Sequence, residues 1–139
     1  MAWAARAAQP AAGAQVNTDR PVTNILVVDD EPDMLKVTAM LLEFEGFRVH
    51  TAGDGQAALR LLATQSVDLV LTDWMMPTMS GIELCRQLRG DPHTRHIPII
   101  LNTSAASTPE GEGVLFDAAT SKLTHIETLL AVIHRLLGR

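Results

Sequence analysis

The chain has 139 residues, 47% hydrophobic and 19% charged, with a formal net charge of -5 and a single cysteine. That length suits one domain with a core of its own, and the composition excludes a mainly disordered chain. The negative balance gives no general attraction to phosphate backbones, and Cys85 has no second thiol for a disulfide or a zinc knuckle. No apolar run approaches the roughly 18 residues of a membrane span, so a reducing cytoplasm is the expected setting. Residues 1–22 are rich in alanine and poor in large apolar side chains, and are expected to form a disordered tail ahead of a domain over 23–139. A signal peptide is disfavoured there because no leucine-rich centre follows the arginine.

Ile25-Leu26-Val27-Val28 is a continuous apolar run of the kind buried on both faces of a parallel sheet, and it ends at Asp29-Asp30. Met34, Val37, Leu41 and Phe44 then recur at helical spacing, with Pro32 in the first turn and Gly46 as the stop. Residues 47–51 form a short strand candidate, and Ala58, Leu59 and Leu62 keep helical register after Asp54. Residues 68–72 make the next strand, which ends in Asp73. Ser80 with Glu83 then has capping-box spacing ahead of a helix that turns Ile82, Cys85 and Leu88 inward.

Residues 97–101 are another strand, with Pro98 at its entry and Thr103-Ser104 closing it. A fourth helix over 107–116 carries Gly111 and Gly113, each costing about 1 kcal/mol against alanine, and is expected to be short or irregular. Residues 117–121 form the last strand, and Thr124 with Glu127 repeats the capping-box spacing before Ile126, Leu129, Leu130, Ile133 and Leu137.

Five strand-helix repeats predict an α/β fold, a doubly wound five-stranded parallel sheet with helices on both faces. Ligands in such sheets sit beyond the carboxyl ends of the strands, and Asp29, Asp30, Asp73 and Thr103 all fall there. Three carboxylates on one rim repel one another unless a cation compensates, and oxygen donors without histidine or cysteine favour a hard divalent ion such as Mg2+. An aspartate so placed can attack phosphorus when positive charge offsets the equatorial oxygens. Lys122 follows the last strand and can supply one such charge, and Thr103 offers a hydroxyl donor. His93 and His96 have metal-like spacing but stand in a polar loop without a carboxylate partner, which argues against a metal there.

Asp29-Asp30, Asp73 in DWMMP, Thr103-Ser104 and Lys122, in that order, resemble the receiver domain of two-component response regulators over about residues 23–138. The resemblance implies the flavodoxin-like strand order 2-1-3-4-5, with Asp73 as phosphoacceptor and Thr103 and Lys122 engaging the phosphoryl group. It also implies Mg2+ held by Asp29 or Asp30, by Asp73 and by the Met75 backbone carbonyl. The implied donor is a phosphohistidine on a sensor histidine kinase or a histidine phosphotransfer protein. Direct nucleic-acid binding and membrane attachment are not expected.

Departures from the family pattern are Leu123, where a proline usually follows the lysine, and Ala119, where an aromatic switch residue usually stands. With no chain after Arg139, the expectation is a stand-alone response regulator that signals through protein contacts. It would be a phosphoacceptor that assists its own phosphorylation and dephosphorylation rather than an enzyme. The alternative is a degenerate receiver that binds partners irrespective of phosphorylation. An aspartyl-phosphate phosphatase of another α/β family would want a second acid where Met75 stands.

Overall fold

The computed structural model describes residues 22–104, 115–122 and 124–138. Five strands, β1 (Asn24–Val28), β2 (Arg48–Ala52), β3 (Leu69–Thr72), β4 (Ile99–Thr103) and β5 (Ala118–Ser121), pair in parallel in the order β2-β1-β3-β4-β5. This is the expected 2-1-3-4-5 arrangement. The helices are α1 (Pro32–Phe44), α2 (Gly55–Leu62), α3 (Gly81–Arg89) and α4 (Ile126–Leu136).

Alternation along the central strands divides the core in two. Leu26, Val28, Val70, Ile99 and Leu101 pack with Ala58 of α2 and with Ile82, Leu84, Cys85 and Leu88 of α3. Ile25, Val27, Leu69, Leu71 and Ile100 pack with Leu42 of α1 and with Leu129 and Ile133 of α4. Both faces of the sheet are therefore covered, which explains why its strands read as unbroken apolar runs.

Local signals explain most boundaries. Ser80 Oγ accepts from Glu83 N at 3.2 Å while Glu83 Oε1 accepts from Ser80 N at 3.0 Å, so the predicted capping box at α3 is complete. Asp54 caps α2 by accepting from Ala57 N at 2.7 Å. Gly46, at φ +99°, takes the left-handed turn after α1.

Several expectations shift; the strands expected from 68 and 117 each start one residue later, at Leu69 and Ala118. The strand predicted from Phe47 starts at Arg48, because the Phe47 amide still donates to Leu42 O at the end of α1. The strand predicted from Ile97 starts at Ile99, after Pro98, whose ring nitrogen has no hydrogen to give the ladder. The last helix is capped at His125, not Thr124, because Thr124 Oγ1 accepts from Ser121 N and ties the residue to the strand end. The largest correction concerns α1. Its Met34-Val37-Leu41-Phe44 stripe is not the core face: Val37 and Leu41 are 49% and 43% exposed, while Thr38 and Leu42 are buried. The helix carries two apolar stripes, and the one through Leu35 and Leu42 docks on the sheet. The other borders a groove of about 230 Å³ shared with Ile126 and Leu129 of α4.

Residues 1–21 of the expected tail, residues 107–114 of the expected fourth helix over 107–116, and Leu123 lie outside the described residues; Leu115 and Phe116 are not helical. No helix among the described residues is long and apolar enough to cross a membrane.

Arg89 ties the edge of the sheet together. Its guanidinium donates to the carbonyls of Arg95, Ile97 and Leu115 and to Asp117 Oδ2 at 2.7 Å, and that carboxylate also accepts from Ile99 N. Arg89→Met removes all of these donors at once and is expected to destabilise the fold by about 2 to 3 kcal/mol, read from urea unfolding. An unchanged midpoint would mean that solvent replaces the guanidinium without cost.

Candidate phosphoryl-acceptor site

The parallel ladder runs one residue past the strand ends and fixes the rim. Asp29 N donates to Ala52 O at 3.1 Å, Asp73 N to Val28 O at 2.9 Å and Lys122 N to Thr103 O at 2.9 Å. Asp29, Asp73 and Lys122 are thus carried by backbone already held in the sheet. Asp29, Asp73 and Thr103 are buried and Asp30 is exposed.

The Lys122 ammonium lies between the carboxylates, 2.9 Å from Asp29 Oδ2, 3.0 Å from Asp73 Oδ2 and 3.2 Å from Glu31 Oε1. The cation that the crowded acids require is therefore supplied first by the chain itself. Burial disfavours the charged lysine, but hydrogen bonds to Asp29, Asp73 and Glu31 outweigh it and hold its pKa above the ordinary value. Burial also raises the pKa of Asp73, with the Asp29 charge adding to the rise and the hydrogen bond and charge of Lys122 opposing it.

Asp30, Glu31, Asp73, Met75, Thr103, Ser104 and Lys122 line a cavity of about 220 Å³ at this rim. Sequence reasoning placed all of these residues there except Glu31, whose reach across to Lys122 only the folded chain reveals. A ligand atom from each of Asp29, Asp30 and Asp73 lies within 4.8 Å of the others, the one such acidic or metal-ligating group among the described residues. An all-oxygen set of this kind fits a hard cation. His93 and His96 border a separate cavity and join no such group.

The loop after β3 begins at Asp73. Thr72 Oγ1 donates to Asp73 O at 3.0 Å, and Gly81 N donates to Trp74 O at 2.7 Å, which draws the start of α3 against the Asp73-Trp74 segment. A Cβ built on Gly81 would collide with Asp73 O and stand 3.0 Å from Trp74 Cα. No other residue type fits there without moving backbone, and sequence alone gives this glycine no such meaning.

A model of the response regulator receiver domain matches residues 25–128. The chain belongs to that family. Among the relatives of this receiver, a probable cyclic di-GMP phosphodiesterase of Vibrio cholerae is 43% identical over 93 residues, which are 67% of the chain and 21% of that protein. The chemotaxis protein CheY-3 of V. cholerae is 40% identical over 83 residues, 59% of the chain and 64% of that protein. The receiver thus spans less than two thirds of these curated relatives. Among solved structures, TrrA of Thermotoga maritima, determined in complex with Mg2+ and BeF, superposes with a TM-score of 0.77 at 29% identity, covering 83% of the receiver and 99% of TrrA. CheY4 of V. cholerae gives 0.77 at 28% identity, covering 84% and 99%. Accepting a phosphoryl group from a histidine kinase is general to receivers.

Cys85 takes no part in this chemistry. It is fully buried on α3, and burial pushes its thiol up to about 12. A disulfide reagent at pH 8 is expected to label it only after the receiver is unfolded in denaturant. Rapid labelling of the native protein would show that α3 opens readily.

Proposed function

We propose that this receiver takes a phosphoryl group from a phosphohistidine on a sensor histidine kinase or a histidine phosphotransfer protein, with Asp73 as the acceptor. A carboxylate oxygen of Asp73 attacks phosphorus, the bond from phosphorus to the imidazole nitrogen breaks, and its electron pair leaves with the imidazole. The observation that carries this reading is the Lys122 ammonium, held 3.0 Å from Asp73 Oδ2 inside a cavity that Thr103 also lines. There it can balance charge on a phosphoryl oxygen, and the Thr103 hydroxyl can donate to another. Asp29, Asp30, Asp73 and the Met75 carbonyl are the groups that would hold Mg2+. When bound, the ion supplies positive charge toward the phosphoryl oxygens.

The test is incubation with acetyl phosphate and magnesium, followed by mapping of the labelled peptide. Label on the peptide that contains Asp73 supports the reading, and label elsewhere overturns it. A degenerate receiver that binds partners in either state draws on Ala119, a small exposed residue of β5 with no ring to reorient. Partner binding that is insensitive to phosphorylation would favour that alternative.

A further inference from the structure

Thr72 ends β3 and is only 1% exposed, next to strand neighbours, Val70 and Leu71, that are buried and wholly apolar. Packing alone would accept a valine there, so the hydroxyl needs a reason. Thr72 Oγ1 donates to Asp73 O at 3.0 Å, a buried hydrogen bond to the next residue along the chain. Asp73 O is one end of the Asp73-Trp74 peptide, and the Trp74 N–H is the other.

Burial is the main influence on the Asp73 carboxyl and raises its pKa, while a backbone hydrogen bond from Trp74 is among the effects that oppose the rise. Only a donor acts on a carboxyl in that sense, so the group is the Trp74 N–H. The carbonyl held by Thr72 and the amide that meets the Asp73 carboxyl therefore belong to one rigid plane. Fixing the oxygen fixes the direction of the N–H, and a hydrogen bond to the carbonyl makes the amide a stronger donor. Lys122, 3.0 Å from Asp73 Oδ2, supplies a second donor from the far side of β5. With donors from two segments, the carboxyl is held at the cavity that Thr103 and Lys122 also line. Thr72 does not border that cavity, so its influence there must pass through the peptide.

We infer that Thr72 is a positioning residue for the acceptor. Its hydroxyl sets the Asp73-Trp74 peptide, and the N–H of that peptide sets the Asp73 carboxyl for in-line attack on phosphorus. The inference rests on Asp73 being the acceptor, as proposed above.

The experiment measures the initial rate at which acetyl phosphate labels the Asp73 peptide, at saturating magnesium, in the full chain and three variants. Urea curves select conditions in which each protein is folded. Thr72→Val keeps the volume and loses the hydroxyl. It is expected to label about tenfold more slowly, between the loss of one hydrogen bond and the hundredfold that misplaced reacting groups can cost. Thr72→Ser keeps the hydroxyl and is expected to retain most of the parental rate, although the missing methyl makes it less stable. Thr72→Ala differs from Thr72→Ser by the hydroxyl alone and is expected to be as slow as Thr72→Val; that pair decides the matter if the valine variant does not fold. Rate then follows the hydroxyl and not stability. A Thr72→Val that labels at the parental rate, a Thr72→Ser as slow as Thr72→Val, or a Thr72→Ala as fast as Thr72→Ser would each overturn the assignment while leaving the acceptor role intact. A parent that takes no label at Asp73 would overturn the acceptor role and this inference together.

Discussion

Asp73→Asn is expected to reduce labelling by acetyl phosphate below detection while leaving a protein at least as stable as the parent. An amide oxygen cannot replace the carboxylate proposed as the nucleophile, so the expected chemical loss is complete rather than partial. The stability expectation follows from the surroundings of the side chain. Burial, with help from the Asp29 charge, holds the Asp73 pKa above its ordinary value despite Lys122, so the ionised form is disfavoured in the fold. A carboxyl whose pKa is raised by folding contributes stability below its unfolded pKa and loses it as pH climbs through the folded one. At neutral pH the parent therefore bears a cost that the neutral asparagine avoids. The gap should narrow as pH falls into the range just above the ordinary aspartate pKa. Measuring urea unfolding of both proteins across that range checks the sign. A stability advantage of Asp73→Asn that grows toward acid would show that the environment of Asp73 has been misread.

Lys122→Met is the variant with the largest expected effect on stability. Lys122 is only 6% exposed at its side chain and is the one cation in contact with both Asp29 and Asp73 among the described residues. Methionine fills similar volume and leaves two buried carboxylates facing each other with nothing between them. Removing one partner from a buried charge cluster costs about 3 to 5 kcal/mol, and that is the expected loss in metal-free buffer. Magnesium should restore much of it, since an ion at a hundred times its dissociation constant adds about 2.7 kcal/mol to a fold that alone binds it. Denaturant midpoints with and without magnesium read both quantities. A variant as stable as the parent without the ion would mean that the acids relieve one another by holding a proton.

The strands and the rim were legible because parallel strands buried on both faces must be apolar throughout, and their carboxyl ends are where polarity resumes. The change from Val28 to Asp29 and from Thr72 to Asp73 marks that end in one step. The face of α1 was not legible. Periodicity detects an apolar stripe but cannot choose between two, and Met34-Val37-Leu41 and Leu35-Leu42 both satisfy it. The Thr124 cap failed for a related reason: spacing identifies a hydroxyl with an acid three residues on, while the strand end competes for the same oxygen. Glu31 escaped notice because its partner lies 91 residues away, and no local pattern links them.

The packing at Gly81 has a consequence for heredity. Every glycine codon becomes a codon for some other residue, or a stop, when either of its first two bases changes, and all of those residues begin with the same Cβ. That single carbon is the one the Asp73 carbonyl oxygen and the Trp74 Cα leave no space for. At position 81, therefore, every single-base change that alters the residue is expected to force the backbone at Asp73 and Trp74 to move.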